Sequence, residues 1–209
     1  MARLGGITVA YVLTLVRHGQ SEANARGVMC GRSDPPLTDA GRRQARALAA
    51  GLPRPTRLVS SPLARARETA ALFGADLEVE CDARWTEMDY GDLDGQPMDA
   101  LDGDGWRAWQ SDPEHVPAGG ESLVAVRARV AAACTELAAE AATGEVVVVS
   151  HVSPIKAAIS WALGVGIEIA WRMYLVDAAV CRIDTSGSVP LLLAVNDEGP
   201  LHVGTALPA

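Results

Sequence analysis

The sequence predicts an α/β fold: a single three-layer domain with a mostly parallel central sheet and helices on both faces. Three observations carry that expectation. Short apolar runs alternate with stretches of helical periodicity along most of the chain. The runs are continuous, as in strands buried on both faces. Each is closed by polar residues that read as turns or helix starts. With 209 residues, 49% of them apolar and 21% charged, the chain can bury a sizeable core and lies far from a disordered composition. Residues 1–209 are therefore read as one domain, with residues 1–10 as an N-terminal tail.

The elements follow in order. The opening "MARLGGITVAYVLTLVRHG" imitates a secretory leader, but Thr8, Tyr11 and Thr14 interrupt it and no small-x-small cleavage site follows. "YVLTLV" at 11–16 predicts the first strand. Thr38 is the expected N-cap of a helix that Gly51 closes, and Pro53 and Pro55 break the chain after it. "RLVSS" at 57–61 predicts a second strand, followed by Ser61 as N-cap and Pro62 at the first position of a helix. Residues 88–120 are rich in Asp, Gly and Pro, and predict a long loop containing one short helix at most. Leu123, Val126, Val130, Cys134 and Leu137 give an amphipathic helix over 121–142. "EVVVVSH" is the most strand-like run, Ser153-Pro154 open another helix, and "VCRID" and "PLLLAVND" predict a closing strand pair.

Composition excludes some functions. The net charge of −8, from 26 acidic and 18 basic residues, offers no broad basic surface for nucleic acid or an anionic membrane. No apolar run approaches the roughly 20 residues that cross a bilayer. Cys30, Cys81, Cys134 and Cys181 are widely spaced, which suits free thiols and a cytoplasmic location. A homodimer stays open.

Function is signalled at the strand ends. In parallel sheets ligands bind where the strands' carboxyl ends meet solvent. Arg17-His18, Ser60-Ser61 and His151 each follow a predicted strand, so segments distant in sequence converge on one edge. The blocks "LVRHGQSEAN", "GRSDPPLTDAG", "SSPLARARETA", "WTEMDYGDLDG" and "VVVVSHVSPIKA" occur in that order from Leu13 to Gly164. Together they resemble the histidine phosphatase superfamily of branch 1, the phosphoglycerate mutase-like group.

The resemblance implies roles residue by residue. His18 would be the nucleophile that accepts a phosphoryl group, Arg17 and Arg65 would bind phosphate, His151 would complete the pocket, and Glu87 would be the general acid. It further implies a substrate-binding shell of Ser21, Asn24, Cys30 and Gly31. Val152 and Ser153 join that shell because backbone N–H groups at a helix start can donate to phosphate oxygens. Many relatives have Gly where this chain has Val152, and a β-branched residue there narrows the pocket wall.

The chemistry is reasonable independently of the family. A neutral imidazole is a good nucleophile near pH 7, and a covalent intermediate divides ester hydrolysis into two displacements. Arginines aimed at the equatorial oxygens stabilise the loose transition state without a metal or cofactor. The leaving alkoxide needs a proton, and burial beside Trp85 and Met88 would favour a protonated Glu87.

Blander readings suit other residues. Arg67 lies two residues from Arg65 on the same predicted helix and faces elsewhere, and His115 and His202 sit in polar contexts without a motif. Trp106 and Trp109 suggest core or flap packing, and the aspartates of 92–104 a solvated loop. "DLDG" at 92–95 resembles the start of a Mg²⁺-dependent aspartyl phosphatase, but no buried strand precedes it. No cysteine is followed by Arg at the spacing of a cysteine phosphatase, and no G-x-S-x-G elbow is present.

The sequence thus predicts a metal-independent phosphatase acting on a small phosphorylated metabolite. Mutase-type transfer is the alternative. Residues 88–120 hold only Arg107 and His115 as basic side chains, too few for the extra basic pair of the longer mutases. A binding-only protein would be expected to lack one of Arg17, His18, Arg65, Glu87 or His151, and all are present.

Overall fold

The computed structural model describes residues 2–4, 7–9, 12–74, 76–141 and 144–197. Ala2–Leu4 (β1) and Ile7–Val9 (β2) pair antiparallel in a two-stranded sheet of their own. The segment read as a tail therefore contains a hairpin. Val12–Arg17 (β3) includes Arg17, and Tyr11, the expected first residue of the strand, lies outside the described residues. Glu22–Arg26 (α1) is a short helix, and Asp39–Gly51 (α2) is capped by Thr38, whose hydroxyl accepts the Gly41 N–H.

Arg57–Ser60 (β4) leads to Ala64–Ala70 (α3), Val79–Cys81 (β5), Gly103–Ser111 (α4) and Leu123–Glu140 (α5). Val146–Ser150 (β6) runs directly into Val152–Leu163 (α6), and Val180–Asp184 (β7) and Leu191–Asp197 (β8) close the chain. Ser61 is not the cap of α3: that helix starts after Leu63, which makes no side-chain cap bond. The loop expected over 88–120 holds α4 and a single 3₁₀ turn at Gly91–Leu93.

The main sheet has six strands in the order β5-β4-β6-β3-β7-β8. The β5/β4, β4/β6 and β6/β3 pairs are parallel; β3/β7 and β7/β8 are antiparallel. Successive side chains of a strand point to opposite faces, and β6 shows why its valine run is continuous. Val146 and Val148 join the core under α5 and α6, with Leu13 and Leu15 of β3. Val147 and Val149 join the opposite core, with Leu48, Ala66 and Phe73 from the α2 and α3 side. Both faces are covered, giving the expected three layers. No helix among the described residues is long and apolar enough to cross a membrane.

The register positions the site. Arg17 of β3 pairs with Ser150 of β6, and Ser60 of β4 pairs with Val149. His18, His151 and Ser61 therefore leave the sheet at one level. Because β7 runs the other way, with Val180 opposite Val16, residues 175–179 reach that edge from the amino end of a strand.

Candidate active site

The R-H-G turn is fixed on every side. His18 donates its N–H to the Ser150 carbonyl at 3.0 Å and accepts the Ala178 N–H at 3.1 Å, so β6 and the turn that precedes β7 both hold it. Gly19 packs on Gly41 backbone to backbone: a Cβ on Gly19 would lie 2.4 Å from the Gly41 oxygen, and one on Gly41 2.1 Å from the Gln20 oxygen. Only glycine permits that approach. Gly19 donates its N–H to the Thr69 hydroxyl at 3.1 Å, which in turn donates to the Arg65 carbonyl at 2.8 Å.

His18 is buried, and its Nδ1 lies 2.7 Å from the Gly19 oxygen. A carbonyl can only accept, which assigns the proton to Nδ1 and leaves the lone pair on Nε2. Arg65 donates its Nε–H to that lone pair at 3.3 Å. Burial, reinforced by the charges of Arg65 and Arg17, holds the His18 pKa well below its ordinary 6.5, so the ring is neutral at pH 7.

His151 lies beside it, with ring centroids 5.0 Å apart and planes at 62°. Its Nε2 is 2.7 Å from the Ser61 hydroxyl, which also accepts the Leu63 N–H. The hydroxyl proton is satisfied if Ser61 donates to Nε2, and this places the His151 proton on Nδ1, a buried atom with no partner. Burial, then the charges of His18, Arg65 and Arg17, lowers the His151 pKa well below 6.5. The hydroxyl read as a helix cap thus serves a histidine 90 residues away.

Arg65 is fully buried. Its fork donates to the carbonyls of Ser33 at 2.7 Å, Gly31 at 2.8 Å and Cys30 at 3.3 Å. Gly31 therefore contributes a backbone acceptor that orients Arg65. Asp94 fixes this loop, accepting the Gly31 N–H, the Ser33 N–H and the Ser33 hydroxyl at 2.7–2.9 Å. That is the work of the second aspartate of "DLDG". Arg67, two residues from Arg65, is exposed as expected. Arg17 donates to the Leu175 carbonyl at 2.6 Å and pairs with Asp177 at 2.8 Å, while its buried Nε has no partner.

Glu87 is buried, with Trp85 and Met88 as buried neighbours, but its oxygens meet polar groups. They accept the N–H groups of Met88 at 2.7 Å and of Val152 and Ser153 at 3.1 Å. The N–H groups of Val152 and Ser153, expected to be open to phosphate, are bonded to the Glu87 carboxyl group at the positive end of α6. The Glu87 segment is held from behind. Ser150 donates its hydroxyl to the Trp85 carbonyl at 2.7 Å, and Arg129 of α5 donates to the Arg84 carbonyl at 2.6 Å while pairing with Glu121.

A cleft of about 450 Å³ opens over these groups. Arg17, His18, Asn24 and Cys30 line it, as do Glu87, Val152 and Ser153. Arg65 and His151 contact His18 without lining the cleft, and neither Gly31 nor Ser21 lines it. Ser21, expected in the substrate-binding shell, caps α1 in a capping box with Asn24, its hydroxyl bonded to Asn24 Oδ1 at 2.7 Å.

Several lining residues carried no signal in the sequence. Lys156, within the last of the quoted blocks but given no role there, and Asp177, outside them, both line the cleft. Trp106 and Trp109 stack with centroids 5.7 Å apart and planes at 8°, and Trp171 and Tyr90 meet Trp109 edge-on. Both stacked rings line the cleft, so they do more than pack. His115 is exposed near Trp109, and His202 lies outside the described residues. No group of three or more His, Cys, Asp or Glu among the described residues is arranged to hold a metal ion.

Comparison with known proteins places this geometry. The chain is 36% identical over 202 residues to a bifunctional protein of Mycobacterium tuberculosis, covering 90% of this chain and 54% of that one, so it spans about half the length of that relative. It is 36% identical over 193 residues to phosphoserine phosphatase 1 of Hydrogenobacter thermophilus, covering 88% of this chain and 91% of the relative. Among solved structures, the mycobacterial glucosyl-3-phosphoglycerate phosphatase in complex with VO3 superposes with a TM-score of 0.79 at 34% identity, covering 90% of this chain and 99% of that one. The model of the histidine phosphatase superfamily (branch 1) matches residues 13–198, and the chain belongs to that family.

Proposed function

We propose that the protein is a phosphomonoesterase working through a phosphohistidine at Nε2 of His18, with water as the final acceptor. The observation that carries this is the state of the His18 ring: neutral, buried, with its proton committed to the Gly19 carbonyl and its lone pair on Nε2. Phosphatase relatives support the reaction class.

In the first displacement Nε2 attacks phosphorus, an N–P bond forms and the bond to the leaving oxygen breaks. Glu87 passes a proton to that oxygen. In the second, water attacks phosphorus and gives its proton to Glu87; the N–P bond breaks and phosphate leaves. Arg65 Nε–H, released from the imidazole lone pair as the N–P bond forms, turns to an equatorial oxygen. Arg17 Nε and His151 Nδ1 are buried nitrogens without partners, and leaving such groups unpaired costs about 1–3 kcal/mol each. An equatorial oxyanion satisfies both and spreads the transition-state charge over fixed donors.

The test is release of phosphate from p-nitrophenyl phosphate by the wild type and by His18→Ala. Loss of turnover together with a phosphoryl group trapped on His18 by rapid quench is the expected result. Turnover retained in His18→Ala would remove the mechanism. EDTA leaves the rate unchanged if no metal takes part. Conversion of 3-phosphoglycerate to its isomer without phosphate release would move the assignment to a mutase.

A further inference from the structure

Four ionisable side chains line the cleft besides the nucleophile: Arg17, Glu87, Asp177 and Lys156. Three have fixed partners. Arg17 and Asp177 hold each other, and Glu87 is held by backbone N–H groups. Lys156 makes no hydrogen bond or ion pair with any described residue. It is the fifth residue of α6, one turn from the end where Glu87 is held. It is also half-buried.

Glu87 favours the charge, but its oxygens are already held by backbone N–H groups. Burial lowers the Lys156 pKa, with Glu87 opposing and Arg17 adding to the shift. Trp106, Trp109, Trp171 and Met98, which also line the cleft, offer no countercharge. A partly desolvated ammonium beside a cleft of ligand size, with no carboxylate committed to it, is suited to an anion that arrives with the ligand.

We propose that Lys156 is a specificity residue that receives a second anionic group, carboxylate or phosphate, carried by the same phosphomonoester whose phosphoryl group His18 takes. The proposal rests on the phosphatase reading above. Arg17 and Arg65 serve the reacting phosphate; Lys156 reads what else the molecule carries. A substrate with one anionic group leaves the ammonium unpaired. One with two satisfies it, so the benefit falls mainly on KM.

Two matched pairs test this. 3-Phosphoglycerate and glycerol 3-phosphate differ by a carboxylate; the bisphosphate and monophosphate of propane-1,3-diol differ by a second phosphate. In the wild type, kcat/KM favours the more anionic member of one pair by about tenfold or more, chiefly through KM, and the pair that shows it identifies the anion. Lys156→Met brings that preference to within about twofold, and Lys156→Arg retains it. Should Lys156→Met not fold, Lys156→Gln removes the charge at similar length and polarity.

No preference in either pair, or a preference that survives in Lys156→Met or Lys156→Gln, overturns the proposal. The phosphatase reading would still stand on p-nitrophenyl phosphate. Failure of the wild type to release phosphate from any of these compounds would instead remove both.

Discussion

Arg65 donates its Nε–H to Nε2 of His18 across 3.3 Å, so an arginine expected to meet the phosphate already holds the imidazole lone pair in the resting protein. In the proposed mechanism this couples attack to charge stabilisation, because the N–H is freed as the imidazole is used. The fork geometry of the guanidinium matters as much as its charge.

Arg65→Lys keeps the charge and loses the fork. The carbonyls of Gly31, Ser33 and Cys30 lose their donor, and kcat on p-nitrophenyl phosphate falls by about 10²–10³. The exposed neighbour serves as control: Arg67→Ala leaves stability within about 0.5 kcal/mol and kcat unaltered. Equal effects from the two variants in steady-state assays would mean that charge alone is used.

Thr69→Val removes the acceptor of the Gly19 N–H and strands a buried donor. A loss of about 1–3 kcal/mol in urea unfolding is expected, with a fall in kcat because the R-H-G turn loses its anchor. Thr69→Ser, which keeps the hydroxyl, recovers most of the kcat. If valine is tolerated in both measurements, the turn is held by its strand contacts alone.

Gly41→Ala drives a Cβ to 2.1 Å from the Gln20 oxygen, which belongs to backbone and cannot rotate away. The chain must separate α2 from the R-H-G turn. Destabilisation of about 2 kcal/mol or more and loss of activity follow, whereas Ala40→Gly next to it costs about 1 kcal/mol by helix propensity alone. Thermal unfolding of the two variants separates a steric from a propensity effect.

The pH dependence has a definite sign. The folded-state pKa values of His18 and His151 both lie below the ordinary 6.5. Above pH 6.5 both rings are neutral in folded and unfolded chains and contribute no slope. As pH falls below 6.5 the unfolded chain takes up protons that the folded protein refuses, so stability drops toward acid. Urea midpoints measured from about pH 7 to 5 should decline, and less steeply in His151→Gln. An identical slope in that variant would assign the acid sensitivity to other groups.

Much of this was legible because it is local. Four consecutive valines between polar ends mark a strand covered on both faces, and β6 meets one core with Val146 and Val148 and the other with Val147 and Val149. Thr38 announced α2 because a cap acts on its own next turn. The R-H-G, S-P-L-A-R-A and S-H blocks are strings of chemistry at strand ends, and the parallel register brings their members together.

Long-range partners escaped the sequence. Ser61 before a proline is a sound cap on local grounds, but the hydroxyl is bonded to His151 and the helix starts later. Val152 and Ser153 were read as open donors, since nothing near them in sequence reveals that Glu87 folds back onto them. Thr69 and Lys156 stand inside the quoted blocks without a role of their own there, and Asp177 stands outside them. Each acquires meaning only from a neighbour that tertiary structure supplies.

The indole wall has a further consequence. Three of the five tryptophans, Trp106, Trp109 and Trp171, line the cleft in mutual contact, while Trp85 and Trp161 do not line it. The molecule therefore carries its own optical reporter: a ligand entering the cleft alters the surroundings of most of the emitting rings at once. Occupancy can be followed through intrinsic fluorescence, with no label attached and no turnover required.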